Sequence, residues 1–130
     1  MAADKLISSG GPWEAKIGYS RATVAGEYVH VSGSTATVNG ELQHKGDAYG
    51  QTKTALEVVI AGALAQAGYE LGDVVRSRVY LTNPDDMDEA GRAHGEIFGE
   101  IRPALTILAG VKFINPEMLV EIEVDAWKRS

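Results

Sequence analysis

A chain of 130 residues, 45% hydrophobic and 23% charged, has the size and mix of one compact domain. Its 18 acids against 12 bases give a formal net charge of −6, and no Lys/Arg run is there to wrap a nucleic acid. Cysteine is absent, which excludes disulfides and thiolate chemistry, and no membrane-length apolar run or signal-peptide pattern is visible, so the expectation is a cytoplasmic protein without a membrane partner.

The first dozen residues, including the Gly-rich "SSGGPW", read as loop or edge. Residues 18–24 and 28–33 read as strands separated by a turn at Gly26. Residues 35–43 contain Asn39-Gly40, a signal for another reversal. Residues 46–68 form the best helix. Leu56, Val59, Ile60, Ala63, Leu64 and Ala67 recur at helical spacing, with Asp47 placed to cap the start and Gly68 the end. Residues 73–82 alternate, with Val75, Val79 and Leu81 set against Arg76, Arg78 and Tyr80.

Residues 83–99 read as a second helix, with Asn83 as cap, Pro84 at the first position, and Asp85 and Asp86 at the positive end of the dipole. Asp88 and Arg92 are spaced as an i, i+4 pair, and Met87, Ala90, His94 and Phe98 share a face. Gly91 inside this helix costs about 1 kcal/mol relative to Ala. Residues 104–110 and 119–127 close the chain as strands. In the last of these, Val120, Ile122, Val124 and Ala126 face one way, and Glu121, Glu123, Asp125 and Trp127 the other.

The order is therefore β-β-β-α-β-α-β-β. It implies one two-layer α+β domain over residues 1–130, a mixed sheet covered on one face by two helices. The other face must meet water or another subunit. On that face, the carboxylates of "VEIEVDAW" are either wet or opposed by something that attracts negative charge.

Six segments in this order resemble the RidA/YjgF family of reactive-intermediate (imine) deaminases, once described as endoribonucleases or translation inhibitors. They are "GYSRA", "AGEYVHVSG", "QTKTALEVV", "LAQAGYELG", "DVVRSRVYLT" and "VEIEVDA", and the likeness runs from about residue 14 to residue 127. The resemblance implies a chorismate-mutase-like fold and a homotrimer with a central β-barrel and ligand clefts between subunits. It also implies an arginine that clamps the substrate carboxylate, a Glu that orients water, and a Tyr and a Ser that shape the pocket. Glu121 matches the catalytic Glu, and Tyr19 and Ser32 match the other two. The arginine's place is held by Leu105, Gly91 stands where an Asn is common, and Gly18 where Pro is usual.

Leucine cannot neutralise a carboxylate, and charge-assisted hydrogen bonds are worth about 1.5–3 kcal/mol each. An uncharged substrate is therefore one expectation. Arg21, in place of a usual Gln, has two readings: an anion contact that Leu105 lacks, or an intersubunit ion pair with the acidic row. Arg102 is a candidate for the same anion, although its odd offset from Leu105 points it to the opposite face of an extended chain. His94 is either a packed, hydrogen-bonded histidine or a pocket proton carrier. Glu123 and Asp125 are solvated or paired with a neighbouring subunit's base.

His30 shares parity with Ser32, and His44 reads as exposed loop. No His pair has metal-ligand spacing, so neither metal nor cofactor is expected. Serine-hydrolase chemistry has no Gly-x-Ser-x-Gly elbow, and "SGGPW" does not read as a strand-to-helix phosphate loop. The expected activity is hydrolysis of an imine or enamine at an intersubunit cleft. The alternatives are a non-catalytic ligand-binding or regulatory trimer and, third, an endoribonuclease.

Overall fold

Branched aliphatic residues at every second position make a strand two-sided, and the sheet is built around one such strand. The computed structural model describes residues 2–129. In chain order these form β1 (Lys5–Ile7), α1 (Pro12–Ile17), β2 (Ala22–Ala25), β3 (Tyr28–Ser34), β4 (Thr37–Val38) and β5 (Glu41–Leu42). A long helix follows, made of α2 (Ala48–Thr54), a π-helical stretch (Ala55–Ile60) and α3 (Ala61–Gln66). Then come β6 (Val74–Leu81), α4 (Met87–Phe98), β7 (Ala104–Ala109) and β8 (Val120–Trp127).

Six strands form one sheet in the order β1-β2-β3-β8-β6-β7. Neighbours are antiparallel except β6 and β7, which run parallel because α4 carries the chain back between them. β4 and β5 make a separate hairpin, turned by Asn39 and Gly40 at φ 51 and 81. Positive φ at both central residues is what a two-residue type I′ hairpin turn needs.

On β8, Val120, Ile122, Val124 and Ala126 are buried against Leu56, Ile60 and Leu64 of the long helix and Ala90 and Phe98 of α4. Each large apolar side chain enclosed in this way stabilises the fold by about 1.5–3 kcal/mol. The long helix opens where the Asp47 carboxylate accepts the Gly50 N–H, and the chain leaves it through Gly68 at φ 79. Gln51 is fully buried in its first turns. Its amide donates to the carbonyls of His44 and Glu117 and accepts the N–H of Leu119, tying the segment before α2 to the segment before β8.

The N-terminal dozen is edge rather than loop alone: β1 is the outermost strand of the sheet, and α1, which the sequence did not announce, starts at Pro12. Pro12 opens this helix and Gly18, left-handed at φ 90, ends it, so β2 begins only at Ala22. Six residues are too few to display a helical period. Val75 is exposed rather than inward, because the pairing with β8 shifts between Val74 and Arg76 and pushes Val75 out of the ladder. Met87 is exposed at the start of α4. Arg92 pairs with Glu89 (2.9 Å) and Glu96 (3.5 Å) rather than Asp88, and its guanidinium covers the Tyr49 ring at 3.9 Å.

Replacing Gln51 by Leu keeps the volume but strands two carbonyls and one N–H. We expect Gln51→Leu to lower the unfolding free energy by about 1–3 kcal/mol in urea denaturation, with an unchanged far-ultraviolet spectrum.

Candidate functional site

The uncovered face of the sheet holds two adjoining concavities. One, of about 550 Å³, is lined by Tyr19, Arg21, Ser32, Gly33, Tyr80 and Glu121, among others. The other, of about 680 Å³, shares Tyr19, Ser32 and Glu123 with it and reaches Glu14, His30, Arg78 and Asp125.

Glu121 projects from β8 opposite Tyr80 of β6 and lies against Gly33 of β3. A Cβ on Gly33 would stand 2.9 Å from Glu121 Oε1 and 3.0 Å from its Cδ, so only glycine leaves room for the carboxylate. The β3–β8 pairing shifts between Val31 and Ser34 at this point. Arg21 Nη1 donates to the Gly33 carbonyl (2.8 Å) and to Ser34 Oγ (2.9 Å). Its Nε is buried without a partner, and its guanidinium lies 5.7 Å from the Tyr19 ring. Ser32 Oγ donates to the Ser20 carbonyl at 2.7 Å, fixing the segment that carries Tyr19.

Burial pushes the Glu121 carboxyl above its ordinary value of 4.5. The Arg21 charge opposes that rise and Glu123 adds to it. Tyr19 stays 38% exposed and within reach of a ligand.

The acidic row is matched inside the same sheet. Tyr80 donates its hydroxyl to Glu123 Oε1 at 2.9 Å, a bond that raises the Tyr80 pKa. Arg78 Nη1 lies 3.5 Å from both Glu123 and Asp125, and His30 Nδ1 lies 2.7 Å from Asp125. The bases facing Glu123 and Asp125 thus come from β3 and β6 of this chain.

The remaining candidates lie elsewhere. Leu105 pairs with Ser77 on the helix-covered side of the β7 edge, 43% exposed. His94 Nε2 lies 3.1 Å from Ser77 Oγ, its ring against Phe98, and burial holds its pKa below the usual value. This is a packed, neutral histidine. Gly91 sits on α4, with nothing within 4 Å of where a Cβ would be. Arg102, at φ 57, lies in the turn between α4 and β7. None of these four lines either concavity, whereas Tyr19, Arg21, Ser32 and Glu121 line one together.

Sequence reasoning missed Gly33, Tyr80 and Arg78 as cleft residues. The alternation of β6 put Arg78 and Tyr80 on its polar side, but no local signal says that β6 pairs with β8. "SGGPW" does connect a strand to a helix, contrary to expectation. The place of an anion is taken there by Glu14, which accepts the Ser9 N–H (3.1 Å) and hydroxyl (2.7 Å). Burial pushes the Glu14 carboxyl up, but the bonds from Ser9 and Ser8 hold it below its usual value.

Residues 12–128 match the family model described as Endoribonuclease L-PSP. The chain belongs to the RidA/YjgF family. It is 40% identical over 126 residues to an uncharacterized protein of Streptomyces coelicolor, covering 97% of this chain and 93% of that one. It is 35% identical over 105 residues to the 3-aminoacrylate deaminase RutC of Acinetobacter baylyi, covering 80% and 82%. The crystal structure of a Mycobacterium tuberculosis member of the YjgF/YER057c/UK114 family superposes with a TM-score of 0.85 at 40% identity, covering 95% of this chain and 98% of that one. The chorismate-mutase-like fold, a mixed sheet with helices on one face, is therefore that of the family.

Two outcomes follow from the geometry around Glu121. The folded chain holds a proton on this carboxyl that the unfolded chain releases, so its contribution to stability is complete below pH 4.5 and fades as pH climbs through the raised value. We expect Glu121→Gln to remove this decline. Melting temperatures of the two proteins from pH 4 to 8 should diverge just above 4.5, and parallel curves would refute it. Gly33→Ala should leave the fold intact while its crystal structure shows the Glu121 side chain swung off β3.

Proposed function

We propose that this protein binds a small molecule beside Glu121 and hydrolyses an imine or enamine there, as a cytoplasmic homotrimer. The observation that carries the reading is Glu121 itself. It is a half-buried carboxyl raised above its usual value, held against Gly33 and next to a reachable Tyr19. A raised carboxyl exchanges protons closer to neutrality, which suits general acid–base work. Water adds to the carbon of the C=N bond and gives a proton to Glu121. Glu121 passes that proton to nitrogen, giving a carbinolamine, and the C–N bond then breaks as the remaining hydroxyl proton follows by way of Glu121 to nitrogen, leaving ammonia and a carbonyl. The Tyr19 hydroxyl and the backbone at Ser32 and Gly33 orient the substrate. The likeness to a 3-aminoacrylate deaminase supports deamination as the reaction class.

Assembly is supported by the two faces. The candidates split between the open face and the helix-covered edge, so one chain cannot bring Leu105 to Glu121, whereas a neighbouring copy can. Leu6, Tyr28 and Leu108 lie on the open face 46–52% exposed, large apolar side chains flanking the acidic row that a second copy would cover.

A non-catalytic ligand-binding trimer is the second reading, and Leu105 favours it, because the expected clamp is gone. The endoribonuclease description of the family fits this chain poorly. A net charge of −6 and an acidic open face repel a polyanion.

The test generates imines in situ with an amino-acid oxidase or an amine oxidase and follows those that survive to be trapped by semicarbazide. Wild type should reduce the trapped imine, and Glu121→Gln should lower the rate on the order of 10²-fold or more. If neither wild type nor Leu105→Arg changes the rate, the enzyme reading falls and the binding reading replaces it. A monomer at micromolar concentration by light scattering would refute the trimer.

A further inference from the structure

Building on that reading of the site, we infer that the cleft selects a cationic or uncharged substrate without a carboxylate, an amine-derived iminium rather than an imino acid. A guanidinium grips a carboxylate through two parallel N–H bonds along one edge of its fork. Both usable edges of Arg21 are closed. The edge between the terminal nitrogens includes Nη1, already donated to the Gly33 carbonyl and Ser34 Oγ. The other includes Nε, which is buried out of solvent's reach. Arg78 is already faced by two anions, its Nη1 standing 3.5 Å from both the Glu123 and the Asp125 carboxylates.

The lining charges point the same way. Glu14, Glu121, Glu123 and Asp125 stand against Arg21 and Arg78 across the two adjoining concavities. The next cation on this face, Arg76, pairs with Asp125, four residues along β8 from Glu121, or about 13 Å, and lines neither concavity. Whichever copy supplies residue 105 supplies a leucine. An anionic ligand would meet four carboxylates against two guanidiniums on this chain's wall of the cleft, one of them with both edges closed. A protonated iminium would find acceptors at Glu121 and Glu123 and a net attraction on approach.

Binding and turnover test this separately. Titration calorimetry with n-butylammonium and with butyrate reads the charge preference without any reaction. We expect butylammonium to bind at least ten-fold more tightly than butyrate, and Glu123→Gln to weaken it several-fold. Equal binding, tighter butyrate or no binding by either would overturn the inference. In turnover, the imine of butylamine should give at least ten-fold higher kcat/KM than 2-iminobutanoate. The reverse ratio would overturn the inference and leave the deaminase reading standing. If neither imine is hydrolysed, the deaminase reading fails, and the calorimetric preference alone decides the charge class.

Discussion

The last strand of the chain lies in the middle of the sheet, and its alternation separates the two faces. β8 is flanked by β3 and β6. Its aliphatic half lies under the long helix and α4, and its carboxylate half is open. A slip of one residue would carry Glu121, Glu123 and Asp125 under the helices, where an unpaired charge costs several kcal/mol. The register is therefore fixed by what cannot be buried. Once it is fixed, Tyr80, Arg78 and His30 of the flanking strands stand opposite the acidic row. The chemistry of the open face is thus a consequence of packing on the closed one.

Within that frame one glycine decides the geometry of the cleft. Gly33 lies where the β3–β8 register shifts, and the missing Cβ lets Glu121 rest on the backbone of β3. The carbonyl of the same residue holds Arg21. A single backbone unit therefore places an acid and a base beside each other without a direct salt bridge. The carboxyl is desolvated enough to be raised and is still faced by a positive charge.

Much of this is legible in the sequence itself. The long helix, the Asn39-Gly40 hairpin, the Asn83 cap and the two-sided β8 all follow from local rules, and the structure contains each of them. Local rules failed where the signal was too short or came from a partner strand. α1 has six residues, and the displaced Val75 depends on how β6 meets β8. Glu121, Tyr19, Ser32 and Arg21 were legible as one group because three matched a motif and the fourth broke one. Gly33, Tyr80 and Arg78 were not, since their proximity to Glu121 is set by strand order, which the linear sequence does not encode locally. His94 looked like a pocket residue by type and proved to be a core one, bonded to Ser77 beneath the sheet.

Two positions that look independent in the sequence, Leu105 and Arg21, acquire a joint meaning in the proposed assembly, where a neighbouring copy brings residue 105 to the cleft. The positive charge expected at position 105 would face a ligand, whereas the one at position 21 is turned toward the protein. Pinned by Gly33 and Ser34, Arg21 acts on Glu121, lowering a pKa that burial and Glu123 both raise. Without it the carboxyl would be protonated over a wider range of pH. In the proposed reaction, the arginine at 21 would keep Glu121 able to accept a proton while leaving the ligand without a clamp of its own.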